Sequence, residues 1–288
     1  MRSLPKRDFQ FFMYPDAPAD PSPLSVKTSS SWTYCGPLLQ LRVATDPSPA
    51  AGVDNSCFPP SFHHWSTHSL SSSLLPRLVP FLTAVHTLLR DQGLEHYWIT
   101  VRASLPTNEF DQPRWHVDDD FFSPPPGTDD AEVKKSGKRE GGWKVCTTLL
   151  GSGTLFAADG KRARRTLAQT RRDVLRREKE GGEHVCLSIR CAACGRTADA
   201  VREEMADRMA GEVVVQSGYG EGAVFRVGSE CGAVHSEPRM ECGRVFVNIV
   251  PGTEGELRRL MGRWGLVFPR SWSLGVPLED LAVTEGGD

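Results

Sequence analysis

The sequence has no apolar run long enough to cross a bilayer, so a helical membrane span is not expected. Met1 to Tyr14 lacks the apolar core of a secretory signal. Arg2, Lys6 and Arg7 carry the charge of an organelle transit peptide, but acidic residues follow closely. There is no excess of one charge: 34 basic residues face 36 acidic ones, a net −2. Without a global field, neither nucleic acid nor an anionic membrane is expected as a partner. No internal repeat is visible, which argues against a solenoid or propeller. Of eight cysteines, Cys35, Cys57, Cys146, Cys231 and Cys242 are scattered singly. Reduced thiols in the cytoplasm or nucleus are therefore expected.

What is present is a globular composition. Hydrophobic residues make up 39% and charged residues 24% of 288 positions, which suits one domain with insertions. Residues 1–69 are rich in Pro, Ser and Asp and read as an irregular N-terminal extension, with Trp32–Tyr34 and Leu38–Val43 as short candidate strands. Residues 70–288 read as the folded domain. Leu74, Leu78, Leu82, Val85 and Leu89 recur at helical spacing within Leu70–Gln92, with Pro80 marking a kink or a later start. Strand-like segments follow at Tyr97–Ala103, Arg114–Phe122, Trp143–Leu150 and Thr154–Ala157. Gly151-Ser152-Gly153 reads as a hairpin turn. The Pro- and Gly-rich loop Ser123–Gly142 has the composition of a lid or of simple disorder. A helical insertion spans about 161–211. Strands resume at Glu212–Gln216, Ala223–Val227, Ala233–His235 and Arg244–Val250, and a short helix at Leu257–Trp264 closes the pattern. Short strands between Gly and Pro turns indicate an α+β, mainly β fold, a barrel or a double-sheet roll, and the placing of the helices suits a jelly roll buttressed by helices.

The segment Arg114-Trp115-His116-Val117-Asp118-Asp119-Asp120 carries the chemistry. On a strand, His116 and Asp118 share one face, as does Asp120, while Asp119 faces away. Alternate positions meet one ion most easily, so Asp118 is the favoured carboxylate. His235, in Gly232-Ala233-Val234-His235, completes a set of two imidazoles and one carboxylate. Such a set suits ferrous iron and leaves coordination positions open. The competing reading is a solvated acidic turn beside a buried structural histidine.

Two further clusters call for an account. His184, Cys186, Cys191 and Cys194 form a candidate zinc set, although only Cys191-Ala192-Ala193-Cys194 has the spacing of a zinc knuckle. Arg162, Arg164, Arg165, Arg171, Arg172, Arg176 and Arg177 form a basic run on a helix. It reads as a solvated face, since Asp173, Glu178 and Glu180 offset it and no aromatics interleave to stack bases. Cys146 reads as a core thiol.

Taken together, Arg114-Trp115-His116-Val117-Asp118, Cys146 to Thr154, and Gly232 to His235 followed by Arg244 resemble the iron(II)- and 2-oxoglutarate-dependent dioxygenase superfamily. The resemblance is remote and covers residues 95 to 252, interrupted by the insertion. It implies a double-stranded β-helix (cupin-like) core and iron ligands at His116, Asp118 and His235. It also implies that an arginine binds the distal carboxylate of 2-oxoglutarate. Arg244 matches that position, one residue short of the commonest offset, and Arg239 competes with it. An arginine suits the task because its fork donates two parallel hydrogen bonds. The implied activity is oxidation of a substrate C–H bond coupled to decarboxylation of 2-oxoglutarate, with no catalytic side chain beyond the metal site. The alternative is a non-catalytic, cupin-like metal-binding or interaction protein. The pattern specifies neither a substrate, small molecule or protein, nor an oligomeric state.

Overall fold

Apolar and polar side chains alternate along Arg244–Gly252, so Val245, Val247 and Ile249 face one way and Arg244, Phe246 and Asn248 the other. This two-sidedness organises the chain. A computed structural model describes residues 7–15, 23–41, 57–122, 142–180 and 192–277. The strands are β1 (Phe9–Met13), β2 (Ser30–Pro37), β3 (His96–Ser104), β4 (Trp143–Leu150), β5 (Leu155–Ala157), β6 (Val214–Gln216), β7 (Glu221–Arg226), β8 (His235–Ser236), β9 (Arg244–Gly252) and β10 (Arg270–Leu274). The helices are α1 (Pro60–Ser69), α2 (Leu75–Asp91), α3 (Gly160–Glu180), α4 (Ala192–Arg208) and α5 (Glu254–Arg263).

Seven strands form an antiparallel sheet in the order β1-β7-β4-β9-β3-β2-β10, and three form a second sheet, β6-β5-β8. The fold is thus α+β and mostly antiparallel. One face of the large sheet carries Val145, Leu149, Val224, Val245, Val247, Ile249, Tyr97, Ile99 and Trp32. These pack with α1 and α2 through Phe62, Trp65, Leu78, Phe81, Leu82 and Leu89 in the main core. The other face meets the small sheet. Phe156 of β5 lies against Phe225 of β7, ring centroids 5.5 Å apart, and stacks on Phe9 of β1 at 4.7 Å. Further along that face, Leu257 and Met261 of α5 pack on Cys35 of β2. A capping box between Thr253 and Glu256 starts α5.

The structure differs from the sequence reading at several points. The described part of residues 1–69 is not an irregular extension, because β1 and β2 are strands of the large sheet and α1 covers its core. Helix α1 (PSFHHWSTHS) is poor in aliphatic residues, so its pattern is faint. It is held by Phe62 and Trp65, with Trp65 Nε1 donating to Ser30 Oγ at 2.9 Å. Leu38–Leu41 is not a strand; Leu38 and Leu39 fill the core. Helix α2 starts at Leu75 and runs through Pro80. Gly151–Gly153 is not a hairpin turn: β4 belongs to the large sheet and β5 to the small one. Gly151 sits at φ +82°, where a Cβ would come within 2.9 Å of the Gly243 carbonyl. Arg114–Phe122 is not a regular strand: its one β-bridge joins His116 to His235, and it ends in a turn at Phe121 and Phe122. Residues 123–141 of the expected lid lie outside the described residues. No helix among the described residues is long and apolar enough to cross a membrane.

Candidate metal centre

The bridge between His116 and His235 is a reciprocal one. Each backbone N–H donates to the other residue's carbonyl at 2.9 Å. That close pairing brings the two rings to 4.3 Å between centroids. The backbone around them is fixed from several sides. Gly228, at φ +94°, donates its N–H to the Asp118 carbonyl at 2.7 Å. Gly232 lies so close to Val117 and Gly228 that a Cβ would come within 2.3 Å of Val117 Cγ1. Ser236 Oγ accepts from the Arg114 N–H at 2.7 Å. On the outer side, Trp115 and Val234 pack against Ala163 and Leu167 of α3, Met205 of α4 and Met209 just beyond it. The helical insertion therefore buttresses the segment that carries His116 and the strand that carries His235.

The rings are oriented for coordination. Nδ1 of His116 is 2.7 Å from the Arg114 carbonyl, and Nδ1 of His235 is 3.0 Å from the Ala233 carbonyl. A carbonyl only accepts, so each ring carries a proton on Nδ1, which leaves Nε2 as the atom available to a metal. Both Nε2 atoms face Asp118: His116 Nε2 lies 3.9 Å from Oδ1 and His235 Nε2 lies 3.6 Å from Oδ2. One ligand atom from each residue falls within 4.8 Å of the others. This cluster could hold a metal ion. Asp118, not Asp120, supplies the carboxylate; Asp120 Oδ1 instead accepts from the Phe122 N–H. Asp119 is exposed.

No family model, curated protein or solved structure matches this chain. Burial pushes the Asp118 carboxyl up, but the Lys144 ammonium, His235 and His116 together outweigh it and hold the group below the usual carboxylate range. Asp118 is thus ionised at neutral pH. Burial, reinforced by His116, pushes His235 down to about 4, so its imidazole is neutral. A neutral His235 nitrogen and an ionised Asp118 oxygen are protonation states that a divalent ion requires. His235 is buried, walled by Phe156 and Phe225, whereas His116 is about one-third exposed and forms the open side.

Arg244 is buried on β9. Its Nε donates to the Ser152 carbonyl at 2.9 Å, and Nη2 lies 3.3 Å from both Thr148 Oγ1 and Thr154 Oγ1. The guanidinium stacks over Phe246 at 4.4 Å. Burial lowers it to about 10, still protonated at neutral pH. No ion pair to it is found among the described residues. Arg239, by contrast, is an exposed side chain paired with Asp111 at 3.2 Å and Glu241 at 3.4 Å. Of the zinc set, His184, Cys186 and Cys191 lie outside the described residues, and Cys194 is placed only as part of α4. The basic run lies on α3. Arg162 pairs with Glu212, Arg164 with Asp8, and Arg177 with Glu204.

Sequence reasoning missed Lys144. Its Nζ donates to Asp118 Oδ2 at 2.8 Å, and only about a tenth of its side chain is exposed. A lysine at an inward position of an otherwise apolar strand, Trp-Lys-Val-Cys, was the available signal.

Proposed function

We propose that this chain is an iron(II)- and 2-oxoglutarate-dependent oxygenase on a double-stranded β-helix core. The observation that carries the reading is the convergence of His116 Nε2, His235 Nε2 and an ionised Asp118. Two imidazoles and one carboxylate with open positions are the ligand set of non-haem iron(II) oxygenases. From β4 to β9 the chain passes between the two sheets, which supports the β-helix reading. The free thiols of Cys35, Cys57, Cys146, Cys231 and Cys242 accord with a cytoplasmic or nuclear setting.

Iron with 2-oxoglutarate would supply an oxidant able to attack a substrate C–H bond. The chain's own residues would bind and orient. His116 and His235 hold lone pairs in place through their Nδ1 hydrogen bonds, which limits the reorganisation on metal entry. Phe156 and Phe225 keep water from the His235 side. Arg244 fits the distal carboxylate: it is a buried cation without an acidic partner among the described residues, and its Nη1 retains donor capacity beyond the three contacts described. The same contacts favour a second reading, in which Arg244 is structural and the protein holds a metal without the oxo acid.

The test is anaerobic addition of iron(II) and 2-oxoglutarate, followed by visible absorption. The first reading predicts a weak charge-transfer band that Arg244→Met abolishes while iron binding persists. Iron binding with no band in the wild type selects the second reading.

A further inference from the structure

Lys144 is the one cation that touches the ligand cluster among the described residues. It stands on β4, hydrogen-bonded between β7 and β9 in the middle of the large sheet, so its base is rigid. Its Nζ lies 5.1 Å from the Phe121 ring centroid and 5.8 Å from that of Phe225. A desolvated ammonium needs an anion, and Asp118 is its only ion-pair partner among the described residues. It takes Oδ2, at 2.8 Å, an oxygen that also lies 3.6 Å from His235 Nε2, and leaves Oδ1, 3.9 Å from His116 Nε2, without an ammonium donor.

We propose that Lys144 is a positioning residue of the metal centre: it retains Oδ2 of Asp118 and so leaves Oδ1 as the single carboxylate ligand. The inference rests on the metal reading above. A carboxylate bound through both oxygens would use a position that exogenous ligands need; an ammonium on Oδ2 prevents that. The arrangement has a cost in affinity, because a fixed cation stands a few ångströms from the incoming dication. It also sets the charge of the loaded centre. Lys144 offsets the Asp118 charge, so more of the ion's own charge is left to attract an anionic ligand.

Cobalt(II) is a suitable probe, since calorimetry reports its affinity and its visible d–d bands report its coordination number. The comparison is wild type, Lys144→Met and Lys144→Arg, each with its melting temperature. Methionine matches the length of the lysine stem and suits the Phe121 and Phe225 walls, and the melting temperature records what the lost ion pair costs. The proposal expects Lys144→Met to bind cobalt at least about tenfold more tightly, with a changed d–d spectrum, as repulsion is removed and Oδ2 becomes available. Lys144→Arg restores the cation and is expected to keep the wild-type affinity and spectrum. Equal or weaker binding by Lys144→Met, with an unchanged spectrum, overturns the proposal. So does equal weakening in both variants, which would mark Lys144 as mere support. Wild-type protein that binds no cobalt sinks the metal reading itself, and this inference with it.

Discussion

Removing the Asp118 carboxylate from the metal-free protein isolates the electrostatics of the centre from the metal. Asp118→Ala leaves the Lys144 ammonium in an aromatic pocket with no acidic partner. Breaking a buried ion pair from one side costs about 3–5 kcal/mol, because the remaining charge is uncompensated. Lys144 is about one-tenth exposed and Asp118 about one-fifth, so the lower end applies, about 3 kcal/mol. For a chain of this size that corresponds to a fall in melting temperature of about 6–12 °C. The assay is urea unfolding with a chelator present, which excludes any contribution from bound ion. The double variant Asp118→Ala/Lys144→Met removes both charges and should recover to within about 1 kcal/mol of wild type, since an apolar replacement of a whole buried pair is close to neutral. A single variant that loses less than about 1 kcal/mol, or a double variant no better than the single, refutes the reasoning.

Other expectations follow from the same physical picture. His86 is buried on α2, stacked on Tyr97, and burial followed by Arg90 pushes it down to about 4. The unfolded chain takes up that proton near pH 6.5, so the His86 contribution is full above 6.5 and falls by about 3 kcal/mol as pH drops to 4; His86→Leu should make the slope in urea titrations across that range shallower, leaving the share of His235, and an unchanged slope contradicts it. Gly232→Ala places a Cβ 2.3 Å from Val117 Cγ1 and 2.5 Å from the Gly228 carbonyl, and backbone cannot yield cheaply. Thermal melts should show a loss of about 2 kcal/mol, with weaker metal binding, whereas Gly262→Ala, where a Cβ meets nothing within 4 Å, should be neutral or slightly stabilising. Trp65→Phe keeps the packing of α1 but leaves Ser30 Oγ without the indole donor, a loss of about 1 kcal/mol in denaturant unfolding.

The parts of this molecule that were legible in sequence are those where one segment carries its own signal. The apolar period of α2 and the alternation of β9 are strong because each buries a whole face in one core. His116, Asp118 and His235 were legible as a candidate ligand set because alternate positions of one extended segment share a face and a second histidine follows on a later strand. What held them together was not. The His-x-Asp segment is no regular strand; it is pinned by a single bridge to β8, by Gly228 and Gly232, and by the α3–α4 pair. Those are long-range contacts with no local periodicity. Strand β10, five residues paired on one side only, and helix α1, with few aliphatics, gave little pattern for the same reason: their stability comes from the sheet and core they join. Lys144 could be flagged in sequence only as an odd inward lysine, because its partner lies 26 positions away.

The central claim is that His116, Asp118 and His235 form one iron(II) centre. Anaerobic equilibrium dialysis against iron(II), followed by elemental analysis, tests it most directly. The account predicts about one iron per chain in the wild type, set by a single three-ligand cluster, and loss of that iron in His116→Ala and in His235→Ala while both variants stay folded. Wild-type protein that dialyses free of iron, or a folded His235→Ala variant that retains it with wild-type affinity, contradicts the claim.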